Sequence, residues 1–208
     1  MCWIRRIAFA MLSALLVSLN VAWAQDSEAE GALIYSVGSV DIAMNFEFGF
    51  QRTATSSGEE VNDNRGAMIC RCVGFFSPRP SNLDYYGREA GRVFVRSLPP
   101  GRYEIYDFGF SGTIIVAGVE WSSATPFSIP FTINPGEATY IGNFARAPSL
   151  GTRLEPQLGA VGYFVISDQS ERDLAIARAR DVALPPVRVD VTDVSNLGHP
   201  MLYGTVQN

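Results

Sequence analysis

Residues 91–108 read GRVFVRSLPPGRYEIYDF and hold the sharpest strand–turn–strand pattern of the chain. Runs rich in β-branched and aromatic residues flank Pro99-Pro100-Gly101, where proline fixes φ and glycine permits conformations closed to other residues. The pattern predicts a hairpin in which Gly91–Leu98 and Arg102–Phe108 are successive strands. A β fold is therefore the starting hypothesis for the whole chain.

Strand patterns extend on both sides of this predicted hairpin. Residues 42–50 alternate apolar and polar side chains, and this period of two is typical of a half-buried strand. Further strands are predicted over residues 32–40, 67–76, 113–120, 126–133, 138–144 and 158–167. Pro130 has no backbone N–H, which favours an edge position for its strand. Residues 52–66 and 77–90 are predicted as long polar loops.

One helix is predicted, late in the chain. Ser170–Asp173 has the form of a capping box and precedes several alanines, so the helix is expected from about residue 170 to 182. Its charged residues predict a solvent face with salt bridges. Regularly spaced strands and one late helix predict a mainly β fold, an antiparallel β-sandwich. The expected domain covers residues 32–192, with a flexible tail over 193–208.

The N-terminal segment reads as a secretory signal peptide. Arg5 and Arg6 precede an apolar run, and Ala22-Trp23-Ala24 is an A-x-A cleavage site. The run is shorter than the ~20 residues that span a bilayer. We expect cleavage after Ala24, an acidic linker over residues 25–31, no membrane span in the mature chain, and a periplasmic or secreted location.

Composition excludes several classes of function. The chain has 208 residues, of which 18% are charged; all 16 basic residues are arginine, and there is one histidine. After cleavage, 21 acidic residues face 14 arginines over 184 residues, a net charge of −7. Such a balance argues against nucleic acid as a partner, because phosphate binding needs a basic face. The lack of lysine removes P-loop and Schiff-base chemistry.

Cys70 and Cys72 are the two cysteines of the mature chain, in what we expect to be an oxidising compartment. On a strand their Cα atoms would lie about 6.5–7 Å apart, at the edge of disulfide reach. A strained disulfide, two packed thiols, and a redox or metal role all stay open.

Candidate ligand-binding residues are few. Tyr85, Tyr86 and Trp121 lie in or beside predicted loops, where exposed aromatic rings stack on sugars or anchor protein partners. The alternative is that they cap the ends of the core.

A second group of candidates is rich in oxygen. Glu59, Glu60 and Asp63 belong to a predicted loop of the kind that binds calcium, although the spacing is not that of an EF-hand. A solvated loop without a metal is the alternative, and we expect no other cofactor.

Catalytic arrangements are not evident. His199 is the one candidate base and lies in the predicted tail, so we expect a surface residue. Glycoside hydrolysis needs two carboxylates, and the candidates are spread along the chain. These candidates are Glu47, Asp84, Glu104, Asp107 and Glu120. We therefore expect that the protein is not an enzyme.

Two segments resemble known sequences. Ser97–Ile105 (SLPPGRYEI) is similar to the L-P-P-G-x-Y-x-[VIL] element of prealbumin-like and carboxypeptidase-regulatory-like β-sandwich modules. Phe127–Phe144, followed by Asp168–Leu174, resembles a group of uncharacterised bacterial exported proteins. The resemblance covers under half of the chain. It implies a β-sandwich of the immunoglobulin or prealbumin type, in the cell envelope and without catalytic residues. Within the first motif, Tyr103 is expected to bury its ring while its hydroxyl bonds nearby backbone.

The leading functional prediction is an exported, non-enzymatic β-sandwich with a binding or scaffolding role in the cell envelope. Its partner would be an envelope protein or a glycan. One alternative is a carbohydrate-binding or carbohydrate-active protein that uses the loop aromatics. Another is a subunit of a surface assembly that pairs through the Pro130 edge by β-augmentation.

Overall fold

The computed structural model describes residues 29–40, 45–71, 83–114, 117–148, 162–180 and 183–204, and for 111–114 and 117–121 it describes the backbone only. The strands are β1 (Gly31–Ser39), β2 (Asn45–Thr55), β3 (Glu60–Cys70), β4 (Ala90–Leu98), β5 (Gly101–Ile114), β6 (Ala117–Ser122), β7 (Ile129–Ile133), β8 (Ala138–Ala147), β9 (Tyr163–Ser167), β10 (Val187–Val189) and β11 (Leu202–Gly204). Helix α1 spans Ser170–Ala179. The predicted signal peptide, residues 1–24, lies outside the described residues.

The strands form two sheets. The six-stranded sheet has the order β11-β9-β8-β1-β4, with β10 also paired to β8, and the five-stranded sheet has the order β3-β2-β5-β6, with β7 also paired to β5. Within the described residues, the prediction of a mainly β chain with one late helix is confirmed. Most pairings are antiparallel, but β1–β8, β10–β8 and β11–β9 are parallel, which the sequence analysis did not predict.

The predicted hairpin of residues 91–108 is wrong. All of β4 pairs with β1 in the six-stranded sheet, whereas β5 pairs with β2, β6 and β7 in the five-stranded sheet. Pro99-Pro100-Gly101 thus carries the chain from one sheet to the other. Tyr103 supports this crossing as expected: its ring is buried and its hydroxyl donates to Pro99 O at 2.7 Å.

The predicted loop over residues 52–66 is also wrong. β2 and β3 extend through most of it and are joined at residues 56–59. Arg52 lies opposite Asp63 across the two strands and binds both of its carboxylate oxygens, at 2.7 and 2.6 Å. Polar residues here belong to a hairpin that extends beyond the core, so their polarity reflects solvent exposure rather than lack of structure.

Aromatic rings from the two sheets meet in one core. Phe48 of the five-stranded sheet lies 5.1 Å from Phe144 and 4.4 Å from Phe164 of the six-stranded sheet, measured between ring centroids. Phe164 also contacts Phe46 and Phe108. Such ring pairs contribute about 0.5–1.5 kcal/mol each beyond the burial of their area. The inward alternation predicted for residues 46–50 is therefore correct.

Helix α1 covers the opposite face of the six-stranded sheet. Leu174 and Ala177 of α1 form a second apolar cluster with Ile34 of β1 and Tyr140 of β8. As a result β1 and β8 are buried along their whole lengths. The outer face of the five-stranded sheet is different, because no described helix packs on it. Nor is any helix in the described part of the chain long and apolar enough to cross a membrane.

Candidate binding surfaces

The outer face of the five-stranded sheet carries a trough with a volume of about 820 Å³. Its floor and walls come from β2, the end of β3, and β5. Glu47, Ile69 and Tyr106 are exposed along it. The trough is a property of a sheet face and not of the loops that the sequence analysis favoured.

A β-bulge in β5 shapes this trough. Gly49 pairs with Asp107 and Phe50 pairs with Ile105, so Tyr106 is an extra residue without a partner on β2. Ile105 is fully buried in the core, while Tyr106 is 37% exposed. A bulge of this kind interrupts the alternation of faces and redirects a side chain.

The Tyr106 ring lies against the backbone of Gly49. A Cβ placed on Gly49 would be 3.4 Å from Tyr106 Cζ and 3.5 Å from its hydroxyl oxygen. The ring therefore lies just above the space that a methyl group on residue 49 would fill, and a larger side chain there would meet the ring. One side of the ring is covered by β2, and the exposed part of the residue faces the trough.

Charged side chains surround this ring. Glu47 and Arg71 are exposed, and Asp107 and Asn45 are half-buried; all four line the trough. Glu47 and Asp107, two of the candidate carboxylates, are thus brought to one surface.

The other candidate carboxylates lie elsewhere. Glu104 accepts hydrogen bonds from Gln51 and Ser128. Asp84 is ion-paired with Arg180 and accepts the backbone N–H of Val93. The side chain of Glu120 lies outside the described residues.

A buried polar network lies on the opposite side of the molecule, between β1, β8 and α1. Asp173 is fully buried, so it is not part of the predicted solvent face of the helix, on which Glu171, Arg178 and Arg180 are exposed. Its carboxylate accepts hydrogen bonds from Tyr140 OH at 2.7 Å and Arg172 Nε at 2.8 Å, and Ser36 Oγ lies 2.5 Å from it. The position in the first turn of α1 also favours a negative charge. The N-cap residue of α1 is Gln169 and not Ser170, and its side chain makes no capping hydrogen bond, so the predicted capping box is wrong. The backbone N–H of Ser170 donates instead to Asp168 Oδ1 at 2.8 Å.

Asn143 continues this network towards the surface. Its amide nitrogen donates to the Glu89 carboxylate at 3.1 Å, and its oxygen lies 2.7 Å from Ser36 Oγ. A bulge at Gly142, where φ is +120°, places Asn143 on the same sheet face as Tyr140. Regular alternation would instead turn Asn143 towards the core.

Tyr85 belongs to the network and is not a free ring. Its hydroxyl donates to Glu89 Oε1 at 2.9 Å, and the Arg172 guanidinium lies over its ring, 3.7 Å from the centroid. Burial and the Glu89 charge raise the pKa of Tyr85. The hydroxyl fits only because Gly38 and Gly91, which pair across β1 and β4, have no side chain there.

Tyr86 is half-exposed at the rim of a cavity of about 380 Å³, together with Arg88 and Glu89. The side chain of Trp121 lies outside the described residues. Tyr85 and Tyr86 therefore lie near each other, but the Tyr85 ring is covered by Arg172 where a sugar would need an open face.

The three predicted calcium ligands do not converge on one point. Asp63 is held by Arg52, whose hydrogen bond lowers the pKa of the carboxyl. Glu59 and Glu60 are exposed at the turn between β2 and β3. Among the described residues, no group of three or more histidine, cysteine, aspartate or glutamate side chains is placed to hold a metal.

Cys70 is disulfide-bonded and buried at the end of β3. Cys72 lies outside the described residues, so its pairing with Cys70 stays a prediction.

His199 is buried, and the predicted surface position is wrong. It packs against Phe108 and Phe127, and burial lowers its pKa. Its Nδ1 accepts the backbone N–H of Met201 at 3.2 Å, which leaves the proton on Nε2, 3.1 Å from Ser123 Oγ. Because Nε2 carries the proton, it is not available as a base that would accept the proton of the Ser123 hydroxyl. Residues 193–208, which the sequence analysis expected to be a flexible tail, include strand β11, and β11 pairs with β9.

The edge strand β7 carries Pro130, as its missing N–H predicts, and among the described strands it pairs with β5 alone. The Thr132 carbonyl of this strand already accepts hydrogen bonds from Thr139 Oγ1 at 3.0 Å and Arg188 at 2.9 Å. Because this carbonyl already accepts two hydrogen bonds, it is less available to the backbone N–H groups of an added strand.

Sequence reasoning missed Tyr106 as a surface residue of interest. A signal is nevertheless present, because the core-facing residues Tyr103 and Ile105 are followed by Phe108 and not by residue 107. A break in a period of two indicates a bulge.

Comparisons with known proteins add little. No protein-family model matches the chain, and no curated protein matches it. Among solved structures, a leucine-rich repeat protein from Bacteroides thetaiotaomicron is similar over 57% of this chain and 14% of that chain, with 11% identity and a TM-score of 0.32. A TM-score this low supports no conclusion about fold or function.

Proposed function

We propose that the chain is an exported, non-enzymatic β-sandwich protein of the immunoglobulin or prealbumin type with a binding role in the cell envelope, and that the trough is its binding surface. The signal-peptide pattern supports export to the periplasm or beyond. The aromatic core shared by two sheets supports the sandwich architecture.

The observation that carries the proposal is the position of Tyr106. An aromatic side chain that is partly exposed on a sheet face, within a concave surface and among charged groups, has the composition of a recognition site. The outer face of the six-stranded sheet is less accessible, because α1 and the loop that contains Tyr85 cover it.

A carbohydrate-active protein is the second candidate. The specific observation in its favour is that Glu47 and Asp107 line the same trough. Glycoside hydrolysis requires two carboxylates on either side of the scissile bond. If the protein released reducing sugar from an envelope polysaccharide, its function would be catalysis and not binding alone.

The test measures whether the protein is exported and whether purified envelopes retain it. The full-length protein is expressed with its own N-terminus in a Gram-negative host, and the mass of the recovered protein gives the cleavage site. Mature protein is then sedimented with purified envelopes. We expect cleavage after Ala24 and co-sedimentation that Tyr106→Ala weakens and Tyr203→Ala does not, since Tyr203 is an exposed tyrosine of the other sheet. An uncleaved chain, or co-sedimentation that both variants leave unchanged, would contradict the proposal.

A further inference from the structure

We infer that the ligand of the trough is a saccharide, and that Tyr106 provides the surface on which one sugar ring lies. This inference rests on the proposed function, since it names the ligand of the same surface.

The setting of the Tyr106 ring suits a sugar ring. The ring stands over Gly49 of β2, with no side chain between it and the sheet, and it is still partly exposed. The face of an aromatic ring carries negative charge density and attracts C–H groups, which line the flatter faces of a pyranose. A ring fixed by the sheet loses little side-chain freedom when a ligand binds.

The polar groups around the ring include both hydrogen-bond donors and acceptors. Glu47 and Asp107 are hydrogen-bond acceptors, while Arg71 is a donor with several N–H groups and Asn45 offers both functions. Sugar hydroxyls donate and accept hydrogen bonds in all directions. A surface that supplies both kinds of partner beside an apolar platform matches this chemistry.

The charges that line the trough disfavour other classes of ligand. Two carboxylates and one guanidinium line the trough, so a phosphate or another anion would meet net repulsion. The net charge of the mature chain disfavours nucleic acid further. A lipid tail would have to desolvate these charges without compensation. An added peptide strand needs a sheet edge, whereas the trough lies on a face where β2 is paired on both sides.

The size of the trough is consistent with an oligosaccharide. Its volume of about 820 Å³ falls within the range of pockets that hold small ligands, and its exposed walls form an open surface. Ile69, 38% exposed on β3, extends the apolar part of the wall beyond Tyr106.

The experiment is a glycan array of envelope and extracellular polysaccharide fragments, probed with mature protein, followed by calorimetry on the fragments that bind. We expect at least one fragment to bind, with affinity reduced about tenfold in Tyr106→Ala and nearly retained in Tyr106→Phe, which keeps the ring. Tyr86→Ala is the matched control for the loop aromatics and is expected to change nothing. Circular dichroism verifies that each variant is folded.

The possible failures are distinguishable. If no fragment binds while Tyr106-dependent envelope co-sedimentation persists, the saccharide inference is overturned and the proposed function stands. If neither binding is observed, both fail. If a fragment binds and Tyr86→Ala abolishes binding while Tyr106→Ala does not, the site is the loop, and the inference about Tyr106 is wrong.

Discussion

Tyr106 and Gly49 are joined by close contact across β5 and β2: a Cβ on Gly49 would stand 3.4 Å from Tyr106 Cζ. This distance is an ordinary van der Waals contact, so a single methyl group fits beneath the ring and a larger side chain does not. The ring therefore keeps its position over β2 as long as residue 49 carries no side chain larger than a methyl group.

Substitution of Gly49 tests this relationship. Gly49→Ala is expected to keep ligand binding and to raise the free energy of unfolding by about 0.5 kcal/mol, through reduced freedom of the unfolded chain. Gly49→Val adds two further methyl groups that displace the ring, and is expected to lower envelope binding about tenfold while the fold persists. Equal binding by the two variants would show that the ring position is unimportant.

Asp173 is expected to be essential for stability. In Asp173→Asn, an amide nitrogen replaces one of the oxygens that accept from Tyr140 and Arg172, and a donor then faces a donor. We expect a loss of about 2–3 kcal/mol in urea unfolding. Glu171→Gln is the matched control on the exposed side of the same helix and is expected to change stability by less than about 0.5 kcal/mol. A loss of the same size in both variants would mean that burial of Asp173 is not the cause.

Gly38 and Gly91 are expected not to tolerate substitution by residues that carry a side chain. A Cβ on Gly38 would lie 2.6 Å from the Tyr85 hydroxyl oxygen and 2.4 Å from Glu89 Oε1. Gly38→Ala should therefore expel Tyr85, at a cost of about 1–3 kcal/mol, and increase amide hydrogen exchange over residues 84–89. Gly87→Ala, where a Cβ meets no atom within 4 Å, serves as the control. Unchanged exchange in Gly38→Ala would contradict the tight fit of Tyr85.

Alkaline pH is expected to destabilise the fold through Tyr103. Burial raises the pKa of this residue to about 12, whereas tyrosine in an unfolded chain has a pKa near 10. The folded state thus binds the proton more tightly. The resulting stability is fully present below about pH 10 and is lost as pH rises towards 12.

Urea unfolding between pH 8 and 12 measures this effect. Tyr103→Phe should lose about 1 kcal/mol at pH 8 with the hydrogen bond to Pro99, and should depend less on pH above 10. Tyr203→Phe removes an exposed hydroxyl that also donates to a proline carbonyl, Pro200 O, and should leave the dependence as in the wild type. A wild-type slope in Tyr103→Phe would refute the assignment.

The strands are largely predictable from the sequence, and their partners are not. Alternation over residues 46–50 identifies the core-facing phenylalanines of β2, because a period of two reports which side is buried. Pro99-Pro100-Gly101 predicts a change of chain direction, and the chain does turn there. Whether β4 and β5 then pair depends on β1 and β2, which are distant in sequence: β1 pairs with β4 along its whole length, and β2 pairs with β5.

The candidate sites depend on two β-bulges that local patterns indicate weakly. The bulge at Tyr106 puts two successive residues on the outer face, and the bulge at Gly142 turns Asn143 towards α1. Loop aromatics such as Tyr85 are predictable as residues of interest from their type. Their partners are not, since Arg172 and Glu89 reach Tyr85 only through the tertiary fold.

The most direct test of the trough is an NMR titration of isotopically labelled mature protein with soluble fragments of envelope polysaccharide. We predict chemical-shift changes at Gly49, Ile69 and Tyr106, and unchanged signals at Tyr85 and Tyr86. Chemical-shift changes confined to Tyr85, Tyr86 and their neighbours, with the signals of Gly49 and Tyr106 unchanged, would contradict the proposal that the trough is the binding surface.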